Sequence, residues 1–302
     1  MPSLLKSFSG LLKDPPPAYA FELSAGHMAV TRTHKGPEMQ LRQLEPDTIV
    51  VSPLRDNVLR PEALAAQIRA AVPPNGGRKR RTAALILPDY CVRVAVLDFD
   101  AFPSDPKEQL SLIRFRLKKT LPFDVESAAL GYHVQHGAGG KRVDVAVAVA
   151  PLEIIARYEA PFRACNFHVG MVTTSALAAF ELVPPAGAKL LVKRSGAILS
   201  IAASQTGVLK LVRSLELSDS SLDEMLGHLH PTLAFVEDQL GARPAVLLLC
   251  GFGSSFQEAQ IRLGVELDLA VEPLQSRFGP AGEFNAGLLG YCLLYTSDAA
   301  DE

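Results

Sequence analysis

A single order of elements occurs twice in this chain, and that repetition narrows the possible folds more than any other feature. In the first half, Ala18 to Leu23 and Met28 to Thr33 read as a hairpin around Ser24-Ala25-Gly26, with a third short strand at Thr48 to Ser52. Pro61 then opens a helical pattern carried by Leu64, Ile68 and Val72, which Pro73-Pro74-Asn75-Gly76-Gly77 stops, and an apolar strand follows at Thr82 to Leu87. In the second half, Lys189 to Val192, Ala197 to Ala203 and Val208 to Ser214 are three strands with turns at Ser195-Gly196 and Gln205-Thr206-Gly207. A helical stretch at Ser221 to Leu240, an apolar strand at Ala245 to Cys250 and a helix from about Ser255 to Leu263 complete the repeat. Two α/β halves led by hairpins and joined at Pro184-Pro185-Ala186-Gly187 imply two lobes with a cleft between them.

Between the halves lies an insertion. Cys91 to Leu97 alternates as a half-buried strand, Asp105 to Thr120 reads as a helix ended by Leu121-Pro122-Phe123, and strands follow at Ala128 to Gln135 and Arg142 to Val149 around Gly137-Ala138-Gly139-Gly140. A helix from Pro151 to Cys165 closes this β-α-β-β-α unit. A strand at Val169 to Thr173 and a helix at Ser175 to Leu182 return to the first lobe.

The 302 residues, 48% of them hydrophobic, suffice for two domain-sized units with sizeable cores. A net charge of -2 calls for neither a nucleic-acid partner nor an anionic membrane. Cys91, Cys165, Cys250 and Cys292 are far apart, form no CxxC pair, and fit a reducing compartment rather than a disulfide framework or a zinc site. Met1 to Lys13 carries Leu4, Leu5, Phe8, Leu11 and Leu12 at helical spacing but lacks the long apolar core of a secretory signal, so it reads as a frayed terminal helix or a short amphipathic arm. No apolar run reaches membrane-spanning length. Residues 292–302, Cys-Leu-Leu-Tyr-Thr-Ser-Asp-Ala-Ala-Asp-Glu, look like the translation of a sequencing adapter rather than biological sequence, so the fold is read without them and its final element is expected to be cut short or replaced.

Arg93 to Leu97, the helix ending Phe115 to Phe123, Ala129 to Val134, Val145 to Ala150, Asp238 and Leu249 to Ser254 together resemble the PilM family of type IV pilus assembly proteins, in outline over residues 18–290. The segment before the hydrophobic-Pro-Phe turn is the most specific part. The resemblance implies an actin-like (ribonuclease-H-like) two-lobed fold related to that of the cell-division protein FtsA. Residues 1–17 would then be an arm and linker, 18–90 and 170–184 the first lobe, 91–169 the inserted subdomain, and 185–291 the second lobe. It further implies ATP and Mg²⁺ in the interlobe cleft, and a surface that holds the cytoplasmic tail of PilN, an inner-membrane partner.

A phosphate cleft needs small residues in its turns, because backbone N–H groups must approach the anion, and it needs acids for the metal and the attacking water. The resemblance places the first turn at Glu22, Ser24 and Gly26, with Glu22 for the family's Asp and Ser24 for its first Gly. Glu22 is thus either a metal-side acid or a structural strand residue. It places the second turn at Lys193, Ser195 and Gly196, where Lys193 stands for an Asp. An ammonium has donors and no lone pair, so it cannot ligate Mg²⁺, and Lys193 reads as a solvated strand-end charge or a phosphate neutraliser. Gly251 and Gly253, split by Phe252, stand where the family packs adenosine, or form a plain turn.

Other chemistries find no support. Arg78-Lys79-Arg80-Arg81 reads as a solvated loop, His228 and His230 lack metal-ligand spacing on a helix, and no GxSxG elbow occurs. The resulting expectation has no catalytic residue and no metal ligand. It is a cytoplasmic scaffold of a pilus or secretion assembly platform, touching the membrane only through a PilN-like tail, with a degenerate nucleotide cleft. The alternatives are an active Mg-ATPase of the same fold and the cytoplasmic part of a type II secretion platform protein.

Overall fold

The computed structural model describes residues 17–33, 38–73, 80–135 and 142–297. The terminal arm, the Gly137 to Gly140 turn and residues 298–302 lie outside the described residues. In chain order the first lobe opens with β1 (Tyr19–Leu23), β2 (His27–Arg32), β3 (Gln40–Gln43), α1 (Pro61–Ala71) and β4 (Arg81–Leu87). The insertion follows as β5 (Arg93–Phe99), α2 (Pro106–Leu117), β6 (Ala128–Gln135), β7 (Val143–Pro151) and α3 (Leu152–Ala164). Next come β8 (Phe167–Thr174), α4 (Ser175–Ala179), β9 (Ala188–Ser195), β10 (Ile198–Gln205), β11 (Val208–Glu216), α5 (Leu222–Leu240), β12 (Val246–Cys250), α6 (Phe256–Leu267) and β13 (Ala270–Pro273). A short pair, β14 (Gln275–Ser276) and β15 (Gly279–Pro280), leads to α7 (Ala286–Ser297).

The repeat read from the sequence is a repeat in space. The first sheet runs β3-β2-β1-β4-β8 and the second β11-β10-β9-β12-β13. In each, the opening strand sits at the centre, antiparallel to its hairpin partner and parallel to the apolar strand after the helix. All five residues of β1 are buried, as a strand covered on both faces requires. The third strand of the first sheet is not Thr48 to Ser52, which contributes only an isolated bridge between Ile49 and Val58. It is Gln40–Gln43, a mostly exposed and polar edge strand that carries no apolar alternation to read.

The insertion forms a three-stranded antiparallel sheet, β5-β7-β6, on which α2 buries Ile113 and Leu117. Asp105 caps α2 by accepting from the N–H groups of Lys107 and Glu108 at 3.0 and 3.1 Å. Helix α3 turns back onto the first sheet, where Phe162 meets Phe21 edge to face with ring centroids 4.9 Å apart. On its far side the insertion is pinned to the second lobe. The Gln135 amide donates to Leu209 O and accepts from Leu209 N, both at 2.8 Å, in the manner of a strand pairing, and Lys210 pairs with Asp144 at 2.5 Å.

Helix α7 corrects two expectations. It ends the segment assigned to the second lobe, yet it packs on the first, where Leu288, Tyr291 and Leu294 join Ala20, Ala84, Ile86 and Ala178 in one core. The helix also continues through the first residues of the segment set aside as adapter-like, and Cys292 and Leu294 are buried. Its close approach to α4 rests on glycine. A Cβ on Gly290 would lie 1.9 Å from Ala178 O, a backbone atom with no room to yield.

That contact yields a paired prediction. Gly290→Ala is expected to lose about 1–3 kcal/mol or more by overpacking. Gly227→Ala, at an open position inside α5, is expected to gain up to about 1 kcal/mol from helix propensity. Denaturant unfolding of both variants checks the sign of each change.

Candidate functional site

The two central strands bring their C-terminal halves together at the lobe boundary, so β1 presents Glu22 and β9 presents Lys193 to one buried place. Both are almost fully inaccessible, at 3% and 2% exposure. The expectation of a solvated Lys193 is therefore overturned. Its Nζ lies 3.2 Å from Asp89 Oδ2, and Asp89 is itself buried, at the start of the helical turn Asp89–Cys91 that follows β4. Ser200 of β10 donates to the same carboxylate oxygen at 3.0 Å, with Ser214 2.9 Å behind it, and the N–H of Ala176 in α4 donates to Asp89 Oδ1. One carboxylate from the first lobe thus holds an ammonium and a hydroxyl from the second.

Glu22 faces the first lobe's own elements. It accepts from Ser175 Oγ, from Gly287 N at 3.3 Å and from Leu288 N at 2.7 Å, which makes it the cap of α7. Burial raises its carboxyl above the ordinary range, against the opposing pull of Lys193, Ser175 and Leu288. Burial alone would lower the Lys193 ammonium, but Asp89 and Glu22 more than offset it, and the net direction is upward.

The first turn closes on itself. Ser24 N donates to His27 O at 2.9 Å and His27 N to Ser24 Oγ at 3.1 Å, while a Cβ on Gly26 would meet nothing within 4 Å. In the second turn Gly196, at φ +58°, donates its N–H to Glu283 Oε1 at 2.7 Å. The next residue, Phe284, stacks on His27 with centroids 3.9 Å apart, so the segment leading into α7 lies across both hairpins. Among the described residues, a cavity of about 20 Å³ is lined by Glu22, Ser24, Asp89, Lys193, Ser195 and Glu283 among others.

Gly251 and Gly253 do not line that cavity. At Gly251, φ is +82° and a Cβ would sit 1.9 Å from Arg194 O, so the packing of this turn on β9 demands glycine by itself. Phe252 is buried in the second lobe's core, and the Arg194 guanidinium lies 5.1 Å above its ring. Of the basic run, Arg78 and Lys79 lie outside the described residues. Arg81 is not solvated as expected, for its guanidinium covers the Phe167 ring at 4.5 Å and donates to Pro73 O at 2.8 Å. Among the described residues no three His, Cys, Asp or Glu side chains gather in a way that could hold a metal ion. Sequence reading missed Asp89, Ser200, Ser175 and Glu283. The first carried a signal, an acid directly after the strand-ending Leu87-Pro88, where a chain leaves a buried sheet at a lobe boundary.

A second concavity, of about 340 Å³, lies between the insertion and the first lobe. Ala129, Leu130 and Gly131 of β6 and Val172 to Thr174 of β8 line it, and both strands are edges of their sheets. Ala148, Ala150, Leu152 and Ile155 make the remainder apolar, and Glu159 is its one charged group.

No family model and no curated protein matches this sequence. Solved structures do match its fold. The chain is similar to a structure described as the PilM-PilN type IV pilus biogenesis complex, with a TM-score of 0.76 at 19% identity over 92% of this chain and 98% of that one. It is also similar to a Bacteroides thetaiotaomicron protein of actin-like ATPase fold, with a TM-score of 0.53 at 13% identity over 97% and 99%. A third is the cytoplasmic domain of EpsL, an inner-membrane component of the type II secretion system of Vibrio cholerae, with a TM-score of 0.51 at 16% identity over 94% of each chain. The fold is the actin-like two-lobed α/β fold. No helix among the described residues is long and apolar enough to cross a membrane.

The buried pair sets two expectations. Asp89→Ala leaves an uncompensated ammonium and is expected to lose about 3–5 kcal/mol. Because the Lys193 value is raised on folding, its contribution is complete below the ordinary 10.5 and disappears as pH climbs through the folded value. The stability gap between wild type and Lys193→Met is therefore expected to narrow above pH 10.5. A gap that stays constant to the alkaline limit of folding would show that Lys193 is not held as an ammonium.

Proposed function

We propose that this chain is a non-enzymatic scaffold in the inner-membrane assembly platform of a type IV pilus or related secretion system. On this reading it holds the cytoplasmic tail of a PilN-like protein, and works in the cytoplasm beside the membrane. The observation that carries the proposal is the apolar groove between β6 and β8. An extended segment laid there meets two sheet edges that have no further strand partner among the described residues, and the surrounding side chains offer pockets for alternate apolar residues. Glu159 on the lining is paired with Arg163 at 3.4 Å, so the lining is chiefly apolar in what it offers a tail. The likeness to a PilM-PilN complex supports the same assignment.

The interlobe cleft supports the non-enzymatic half. A cavity of about 20 Å³ holds about one water molecule, which is too little for a triphosphate. The second turn offers an ammonium where a metal-side acid is needed, and Glu22 has both oxygens engaged by Ser175, Gly287 and Leu288. These residues do not fit a Mg-nucleotide.

Titration with the N-terminal tail peptide of a PilN-like protein tests the proposal. Saturable binding is expected, and its absence at about 100 μM peptide would count against the groove. Leu152, 59% exposed on the lining, is the control position. Leu152→Arg is expected to leave stability within about 0.5 kcal/mol and to weaken the peptide by about tenfold or more. Millimolar Mg-ATP is expected to leave the melting temperature unchanged. A rise of several degrees would restore the ATPase reading.

A further inference from the structure

The cleft is closed by charges of the chain's own, and their positions have a pattern. Lys193 brings one positive charge to a buried place that it lines together with two carboxylates, Asp89 at 3.2 Å and Glu22. Glu283 brings one negative charge to the backbone N–H of Gly196 in the turn of the second hairpin. We infer that these side chains are internal substitutes for a bound cation and a bound anion, and that they hold the two lobes in the closed arrangement without any ligand. The inference rests on the cleft half of the function proposed above, and its outcomes are read at the cleft rather than at the groove.

Three features carry it. The Lys193 ammonium links second-lobe β9 to a first-lobe carboxylate, and Ser200 of β10 adds a second interlobe bond to the same oxygen. Parting the lobes would break the ammonium and hydroxyl contacts to Asp89 together, and both charges would then have to be solvated by entering water. The Glu283 carboxylate accepts from the glycine amide of a β-hairpin turn at 2.7 Å, the short charge-assisted contact by which backbone amides hold anions. Glu283 also arrives from a segment whose next side chain, Phe284, is stacked on His27 at the other hairpin. The anion substitute is thereby tethered to both lobes, and its effective concentration at the turn exceeds that of a free anion.

The test removes each substitute in the full chain and offers the ion it replaces. Lys193→Ala leaves Asp89 and Glu22 facing an emptied volume. Its melting temperature is expected to fall well below wild type and to recover by about 5 °C or more on saturation with Mg²⁺ or Mn²⁺, while wild type does not respond. Lys193→Ala/Asp89→Asn, with one acid neutralised, is expected to lose that recovery. Glu283→Ala frees the Gly196 amide without touching the buried pair. It is expected to bind inorganic pyrophosphate saturably by calorimetry, where wild type shows no heat.

A folded Lys193→Ala that ignores divalent cations would overturn the cation half, as would a wild type that responds equally. Pyrophosphate binding that is the same in wild type and Glu283→Ala, or missing from both, would overturn the anion half. If Lys193→Ala does not fold with or without cation, the Glu283→Ala titration decides the inference. Titration of the tail peptide against Glu283→Ala is read separately. Peptide binding that persists there leaves the scaffold reading standing whatever the outcome at the cleft.

Discussion

The buried pair of Lys193 and Asp89 is the contact on which the arrangement of the two lobes depends. Each partner is nearly inaccessible, so neither charge is solvated by water, and each requires the other to remain ionised. Desolvation of two ions takes back most of what their attraction supplies, so the pair adds little net stability compared with apolar residues of the same shape. What it does supply is specificity of relative position. Ala176 N, Lys193 Nζ and Ser200 Oγ converge on one carboxylate from α4, β9 and β10, and the last two reach it from the second lobe, so one first-lobe side chain positions two second-lobe strands. Glu22 extends the same logic within the first lobe, since its cap on Gly287 and Leu288 orients α7 against α4.

That fixed placement reaches the groove. The insertion is bound to the second lobe by Gln135 and Lys210, while α3 carries its other end onto the first sheet. The gap between β6 and β8 is thus bounded by parts tied to both lobes. A cleft that stays shut keeps this gap at one width, which is what a surface needs if it is to take an extended peptide with little ordering cost. A nucleotide-driven opening of the lobes would move the insertion with the second lobe and change the groove.

Much of the fold was legible because local chemistry and global plan agree. The hairpin around Ser24 to Gly26, Pro61 at the first turn of α1, the Asp105 cap of α2 and the doubled strand order all carry signals of short range. What was not legible depends on partners distant in the chain. The edge strand at Gln40–Gln43 has no apolar face, so only its pairing with β2 reveals it. Lys193 reads as solvated because nothing within ten residues neutralises it, and its partner lies 104 positions away. Helix α7 is apolar all round, as a buried helix must be, so it has no stripe by which periodicity could assign its face. Its placement on the first lobe follows from Glu22, 266 positions earlier.

The same distinction bears on which residues report on nucleotide chemistry at all. Gly251 stands where the family resemblance places adenosine, yet a side chain there would collide with Arg194 O, so this turn requires glycine whether or not a nucleotide binds. Phe252, buried in the second lobe's core under the Arg194 guanidinium, has a packing role of the same kind. A motif residue that packing already demands carries no information about a ligand. Lys193 is different, because no backbone geometry requires a lysine in the middle of a buried sheet, and a lone ammonium there is unfavourable until Asp89 and Ser200 are in place. Its partner is the Asp89 carboxylate at 3.2 Å, so each of these two buried charges is matched within the chain.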